Sequence, residues 1–202
     1  MCLEQKKYEL LKDDTVNHNG RTLYRIKALI TFGTVVAGEL GGYIETEKNL
    51  DHSGNAWVYG NAQVYGNARV RGYARVFEDA EVYGNAEVYG NADVLGNAEV
   101  FGNARVYGNA EVFGNAEVYE DAEVRSFAFI YERKMIFWAS NVGSENGTLT
   151  VFNGKDGLIV TRGCFTGTVD EFMERSKQVH DDKTHHEYKL LIEVAKSRIL
   201  SE

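Results

Sequence analysis

Glu81, Glu99 and Glu117 stand eighteen residues apart, and Tyr65, Tyr83, Phe101 and Tyr119 keep the same interval. Carboxylates stacked by a fold at such a spacing can hold a cation or receive a basic partner surface. Aromatic rings in register can bind bases or sugars, or can simply stack as good strand formers. The other candidates for chemistry are the histidines His18, His52, His180, His185 and His186. No histidine falls between Ser53 and Tyr131, which leaves His52 and His18 as the candidate general bases beside that stretch. On a helix the adjacent His185 and His186 point about 100° apart and chelate poorly as a pair. His180 with His185, or with Asp181 and Asp182, is a weak metal option, outweighed by the ordinary role of helix-end polar groups. No metal or cofactor is expected. Cys164, between Gly163 and Phe165, reads as a buried structural thiol rather than a nucleophile. The Gly-Asn-Ala runs lack the Lys-Ser/Thr of a phosphate-binding P-loop.

The elements that carry these residues have a six-residue period. Alanine recurs every sixth position from Ala56 to Ala128, and two residues later comes a valine each time, from Val58 to Val124, then Ile130. The thirteen hexads read mostly G-N-A-x-V-aromatic, without insertion or deletion. A short fixed period of this kind marks a β-helix, in which each coil stacks on the last. Valine fills the core, alanine fits a corner too tight for a larger side chain, and Gly-Asn suits a turn needing positive φ. Stacked asparagines can hydrogen-bond up the axis. The residues on either side of valine point outward, because strand side chains alternate.

The aliphatic-plus-small hexad resembles the transferase hexapeptide repeat of left-handed β-helices, a group that includes acyltransferases and γ-class carbonic anhydrases. The step Gly41-Gly42-Tyr43-Ile44 resembles the lead-in to the coils of YdcK-type proteins. The run Gly163-Cys164-Phe165-Thr166-Gly167-Thr168 through Glu187-Tyr188 and Leu191-Ile192 is similar to the tail of small phage and prophage hexapeptide-repeat proteins. The resemblance implies a mainly β fold: a left-handed triangular parallel β-helix with an N-terminal β cap and a small C-terminal α/β module ending in two helices. The divisions are 1–52 for the cap, 53–135 for the hexapeptide β-helix and 136–202 for a β-hairpin plus helical module. Acyltransferases of that family use a histidine base near a cleft between subunits, with acyl-CoA along the coils and often a projecting loop. These hexads contain neither histidine nor loop, so catalysis is not the leading expectation. Nor can the repeats supply the three zinc-bound histidines of a γ-class carbonic anhydrase.

Outside the coils the signals are local. Tyr8 to Leu11 is apolar-rich, Asn17-His18-Asn19-Gly20 is a turn, and Thr22 to Phe32 alternates loosely. Ile136-Phe137-Trp138, Thr148–Phe152 and Leu158–Thr161 read as strands, with a hairpin turn over 153–157. From residue 166 the pattern becomes helical, with capping-box spacings at Thr168/Glu171 and Thr184/Glu187.

Every third hexad falls on the same face. One face carries Tyr59, Phe77, Leu95, Phe113 and Tyr131 beside Trp57, Arg75, Asp93, Glu111 and Phe129. It is the most apolar, and is expected either to be covered by the C-terminal module or to form a homo-oligomer contact, with a ligand platform as the third choice. The second carries the Glu81, Glu99, Glu117 ladder, uncompensated in sequence and open to a basic partner or to solvent. The third alternates Arg69, Glu87, Arg105 and Glu123 and neutralises itself. With 22 Lys and Arg against 30 Asp and Glu, the net charge is −8, which argues against nucleic acid or anionic membrane as partners. No apolar run reaches membrane-spanning length, the first residues have no signal-peptide core, and two cysteines make no disulfide framework; a cytoplasmic setting is expected. The leading expectation is a non-enzymatic, self-associating scaffold or binding protein engaging a protein partner, with host-system inhibition suggested by the phage-like tail. Two alternatives stand beside it. One is an acyl-CoA-dependent acyltransferase using His52 or His18. The other is an oligomeric protein that sequesters a small nucleotide with Tyr and Phe ladders and Arg71 or Arg125.

Overall fold

The computed structural model describes residues 6–201. Cys2 and the expected leaderless start lie outside the described residues. The chain begins with β1 (Tyr8–His18) and β2 (Arg21–Ala28), an antiparallel hairpin whose turn residues Asn19 and Gly20 both have positive φ, at 51° and 79°. That geometry matches the right-handed twist of the flanking strands. β3 (Leu40–Ile44) pairs antiparallel with β2 and parallel with Gln63–Val64, so it passes the hairpin's sheet on to the solenoid.

Thirteen two-residue strands follow, from Trp57–Val58 (β4) to Phe129–Ile130 (β16). They pair in parallel at intervals of eighteen residues and, with β3 and the Leu50 bridge to Val70 as first rungs, build a parallel β-solenoid of about five turns. Three sheets run along it. The glutamate sheet contains Gln63, Glu81, Glu99 and Glu117 and continues at its N-terminal end into β3, β2 and β1. The aromatic sheet runs from Trp57 through Arg75, Asp93 and Glu111 to Phe129. The mixed-charge sheet runs through Arg69, Glu87, Arg105 and Glu123.

The division of labour within each hexad holds. Every alanine from 56 to 128 and every valine from 58 to 124 is buried, and together they form one continuous core. The corner glycines adopt positive φ, and a Cβ on Gly96 would stand 2.9 Å from the Gly114 amide nitrogen of the next coil. Asn67 donates to Asn85, Asn85 to Asn103 and Asn103 to Asp121, at 3.1, 3.0 and 3.0 Å. The amides of Asn85 and Asn103 both give and receive, and the aspartate ends the chain because its carboxylate can only accept.

Both ends of the stack are plugged. At the N-terminal end Trp57 is fully buried, with Tyr8 and Phe32 set edge-on against it. At the C-terminal end a four-stranded antiparallel sheet is formed by β17 (Ile136–Val142), β18 (Gly147–Gly154), β19 (Gly157–Arg162) and β20 (Phe165–Thr168). Its Ile136 and Phe152 enter the solenoid core, and Thr161 Oγ1 donates to the Glu123 carbonyl at 2.7 Å. The other side of this sheet holds a second core with α1 (Val169–Val179) and α2 (Asp182–Ile199), centred on Leu149, Val151, Phe172, Tyr188 and Ile192. The C-terminal module therefore packs on the end of the stack; it does not fold back along the aromatic face. A solenoid end exposes an apolar core and an unpaired strand edge, so capping it is the more urgent burial.

Two local expectations are corrected. Residues 166–168 belong to β20, and helix α1 starts only at Val169, directly after its N-cap Thr168. α2 starts earlier than the Thr184/Glu187 spacing suggests, because Asp181 caps it by accepting from the Thr184 amide at 2.8 Å. Asp is as good an N-cap as Thr, and here it comes first along the chain.

Candidate functional site

The glutamate sheet gathers the acidic and aromatic residues into two adjacent columns. Tyr65, Tyr83, Phe101 and Tyr119 stack with centroid separations of 5.0, 4.9 and 4.9 Å and ring planes within 2° of parallel. Each inner ring therefore spends its faces on its neighbours and shows solvent an edge. A base or sugar would need a free face, so the column is a strand-stabilising ladder.

Each glutamate of the ladder has a partner. Tyr65 Oη donates to Glu81 Oε2 at 2.9 Å, and Tyr83 Oη to Glu99 Oε2 at 2.8 Å. Arg133 makes an ion pair with Glu117, and His18 Nε2 stands 3.5 Å from Glu81 and 3.3 Å from Tyr65 Oη. The expectation of an uncompensated ladder is corrected in part: Arg133 supplies a counter-charge to Glu117, whereas Glu99 receives the neutral Tyr83 hydroxyl and keeps its charge. The residue after valine in one coil reaches the residue before valine in the next, sixteen positions on. That spacing was present in the sequence and is the signal that could have found the pairs. Burial, the hydrogen bond to each glutamate and the neighbouring carboxylates hold both tyrosine pKa values above the ordinary phenol value.

The ladder is also partly covered. Leu23 and Tyr43 pack against Tyr65 at the N-terminal end, and Trp138 meets Tyr119 edge-on at the other. Between the glutamate and aromatic sheets a shallow open depression of about 530 Å3 is lined by Asn97, Glu99, Asn115, Glu117, Glu132, Arg133 and Lys134. Its walls mix both signs of charge.

On the mixed-charge sheet Glu87 and Glu123 take their cations from Arg71 and Arg125, the residues after valine, and not from Arg69 and Arg105, the strand neighbours expected to neutralise them. Arg71 pairs with Glu87 at 2.8 Å and lies 4.1 Å over the Tyr89 ring. Arg125 donates to Tyr107 Oη at 2.8 Å and to the carbonyls of Gly163, at 3.0 Å, and Phe165. It thereby ties the solenoid to the C-terminal module. Tyr107 is pushed up to about 12 by burial and by its hydrogen bond to Glu123. The two arginines considered for nucleotide binding are thus engaged within the fold.

On the aromatic sheet Tyr59 and Phe77 stack at 4.6 Å, and Phe113 meets Phe129 and Tyr131. Leu95 lies between these groups. Arg75 holds Asp93 through two bonds of 2.9 and 2.6 Å, and Lys155 holds Glu111 at 2.7 Å. Tyr131 is 38% exposed, and Tyr59, Phe77, Leu95, Phe113 and Phe129 are half-buried. Trp57, by contrast, lies beneath the N-terminal cap and is not part of this outer surface.

The histidines are not brought together. His18 sits over the glutamate sheet, whereas His52 stacks on Tyr8 at 4.3 Å and its Nδ1 accepts from the Lys7 amide at 3.2 Å. His52 Nε2 is 3.8 Å from Glu47 Oε2. In the tail His185 Nδ1 contacts Ser176 Oγ at 3.2 Å while His180 lies edge-on to Tyr188. Among the described residues no three His, Cys, Asp or Glu side chains gather as a metal site, and no helix is long and apolar enough to cross a membrane. Cys164 is exposed in the turn between β19 and β20, which corrects its reading as a buried thiol. The turn swings it out of the second core that its neighbour Phe165 packs against.

No protein-family model matches this chain, and no curated protein matches it. The assignment of function therefore rests on the geometry.

Proposed function

We propose that this chain is a non-enzymatic scaffold that self-associates through its aromatic sheet and engages a protein partner. One observation carries the reading. The Tyr59, Phe77, Leu95, Phe113 and Tyr131 column stays partly open because both terminal modules are committed to the ends of the stack. Contiguous apolar surface of this kind marks a contact site. A second copy fits it electrostatically. The charges on this face are already neutralised as Arg75–Asp93 and Lys155–Glu111, so two chains of net charge −8 can approach there with least repulsion. The glutamate face would oppose such an approach.

The same reading places the solenoid with left-handed, triangular hexapeptide β-helices. Its support is the alanine-corner and valine-core division and the presence of three sheets along the stack. A cytoplasmic setting and a host-directed inhibitory role belong to the proposal through the phage-like tail, which is analogy of sequence.

Mass by light scattering tests the reading. The native chain is expected to run as an oligomer, and Phe77→Lys with Leu95→Lys to run as a folded monomer with unchanged circular dichroism. A monomeric native chain at tens of micromolar would sink it.

A further inference from the structure

A second cavity, of about 240 Å3, is lined only by residues of the C-terminal module. Its walls come from the β19–β20 turn, from α1, from Tyr188 of α2 and from Glu145 in the β17–β18 turn. Tyr188 is 1% exposed. Its hydroxyl receives Arg162 Nε at 3.1 Å, and Arg162 Nη2 donates to the Val142 carbonyl at 3.2 Å. Gly143 has positive φ, and a Cβ there would collide with the Tyr188 hydroxyl, so the backbone is shaped around this ring.

The charge balance of the cavity runs against that of the chain. Arg162 is half-buried yet its partners are neutral, and neither it nor Arg175 pairs with a carboxylate among the described residues. His180 lines the cavity beside the two guanidinium groups, and Glu145 is the one carboxylate among the lining residues. A half-buried guanidinium without a counter-ion is costly, and an oxyanion in the cavity would relieve it. Beside Cys164 and Ser176, the wall has an apolar part: Phe165 and Phe172 meet at 5.4 Å, and Val179 lies at the edge with 58% of its surface exposed.

We propose that this cavity binds a small oxyanion carried on a flat apolar body. The oxyanion, a carboxylate or a phosphate monoester, sits on Arg162 and Arg175, and the body lies against Phe165, Phe172 and Val179. The site is independent of self-association, since no residue of the aromatic sheet lines it.

Titration of the full chain with benzoate, phenyl phosphate, inorganic phosphate and neutral benzamide, followed by amide NMR, tests the proposal. Benzoate or phenyl phosphate is expected to give saturable shifts at residues 162–180, and their relative affinities identify which oxyanion the site prefers. Benzamide is expected to give none, and inorganic phosphate to bind more weakly because it lacks the apolar body. Arg175→Gln, an exposed change that leaves the core intact, is expected to weaken the anion about tenfold, the effect of one charge-assisted hydrogen bond. Absence of saturable shifts from both anions, equal shifts from benzamide, or unchanged affinity in Arg175→Gln would overturn it.

Cys164 on the rim supplies a second readout. Its ratio of alkylation rates by iodoacetate and iodoacetamide, read on its own peptide by mass, is expected to exceed that of free cysteine and to fall in Arg175→Gln. A ratio equal to free cysteine would count against the positive field the proposal requires.

Discussion

Tyr83 Oη lies 2.8 Å from Glu99 Oε2, and Tyr65 repeats the contact with Glu81 at 2.9 Å. Phe101 occupies the corresponding place before Glu117 but has no hydroxyl to offer. Phe101→Tyr is therefore expected to stabilise the chain by about 1 kcal/mol, and Tyr83→Phe to destabilise it by about as much, as measured by urea unfolding. Glu99→Gln keeps an acceptor for Tyr83 and removes a like charge between Glu81 and Glu117, so it should change stability by less than about 0.5 kcal/mol. A large loss in Glu99→Gln would mean that the carboxylate charge itself holds the ladder.

The corner turns give a second test. Glu78 and Glu120 take φ of 59° and 53° at positions where neighbouring coils have glycine. A non-glycine residue in that region costs roughly 1 kcal/mol. Glu78→Gly is expected to raise the melting temperature, and Gly96→Ala to lower it, because Gly96 combines a φ of 76° with the close approach of the Gly114 amide. No difference between the two variants would show that the corners relax freely.

The pH dependence of stability has two opposing parts. Lys7 is buried, with its ammonium donating to the Ala56 carbonyl at 2.9 Å, and burial pulls its pKa down to about 8 against the pull of Asp51. Between about pH 8 and 10.5 the unfolded chain binds the proton that the folded chain has lost, so stability rises with pH. Tyr8, Tyr65, Tyr83 and Tyr107 shift upward, chiefly by burial, so above about pH 10 the unfolded chain loses protons the folded one keeps, and stability falls. A maximum near pH 10 is expected in thermal melts. Lys7→Met should flatten the rise below it, which amounts to roughly 2 kcal/mol. A rise of equal size in Lys7→Met would assign it elsewhere.

Trp57 closes the N-terminal end of the core. Trp57→Ala leaves a cavity beneath Tyr8 and Phe32 and is expected to cost about 3–5 kcal/mol by denaturant unfolding. Phe127→Ala, at a corner where the native side chain is 54% exposed, should cost less than about 1 kcal/mol. Similar losses at the two positions would mean that the cap does not seal the stack.

The coils were legible from spacing alone. Alanine at every sixth residue and valine two later placed all thirteen strands, their inward faces and their eighteen-residue register. Asn19-Gly20 and the 153–157 segment marked two hairpin turns, and Thr168 with Glu171 marked the start of α1. The pairing of Tyr83 with Glu99 was legible in principle but needs the sixteen-residue diagonal between coils. The exposure of Cys164 was not, since its flanking residues are apolar and only the turn direction turns it outward.

The sequence by itself determined the solenoid, because a six-residue repeat with inward alanine and valine has one way to bury its apolar atoms, by stacking on itself. It also determined which residues share each face. The tertiary structure decided what those faces are free to do. It spent the glutamates on tyrosines, Arg133 and His18, and Trp57 on the N-terminal cap. It set the C-terminal module on the end of the stack, leaving the Tyr59–Tyr131 column open, and it brought Arg162, Arg175 and Tyr188 around one cavity. The reason is physical: repeat register is a local property of spacing, whereas the partners of an outward side chain depend on distant segments competing to cover it.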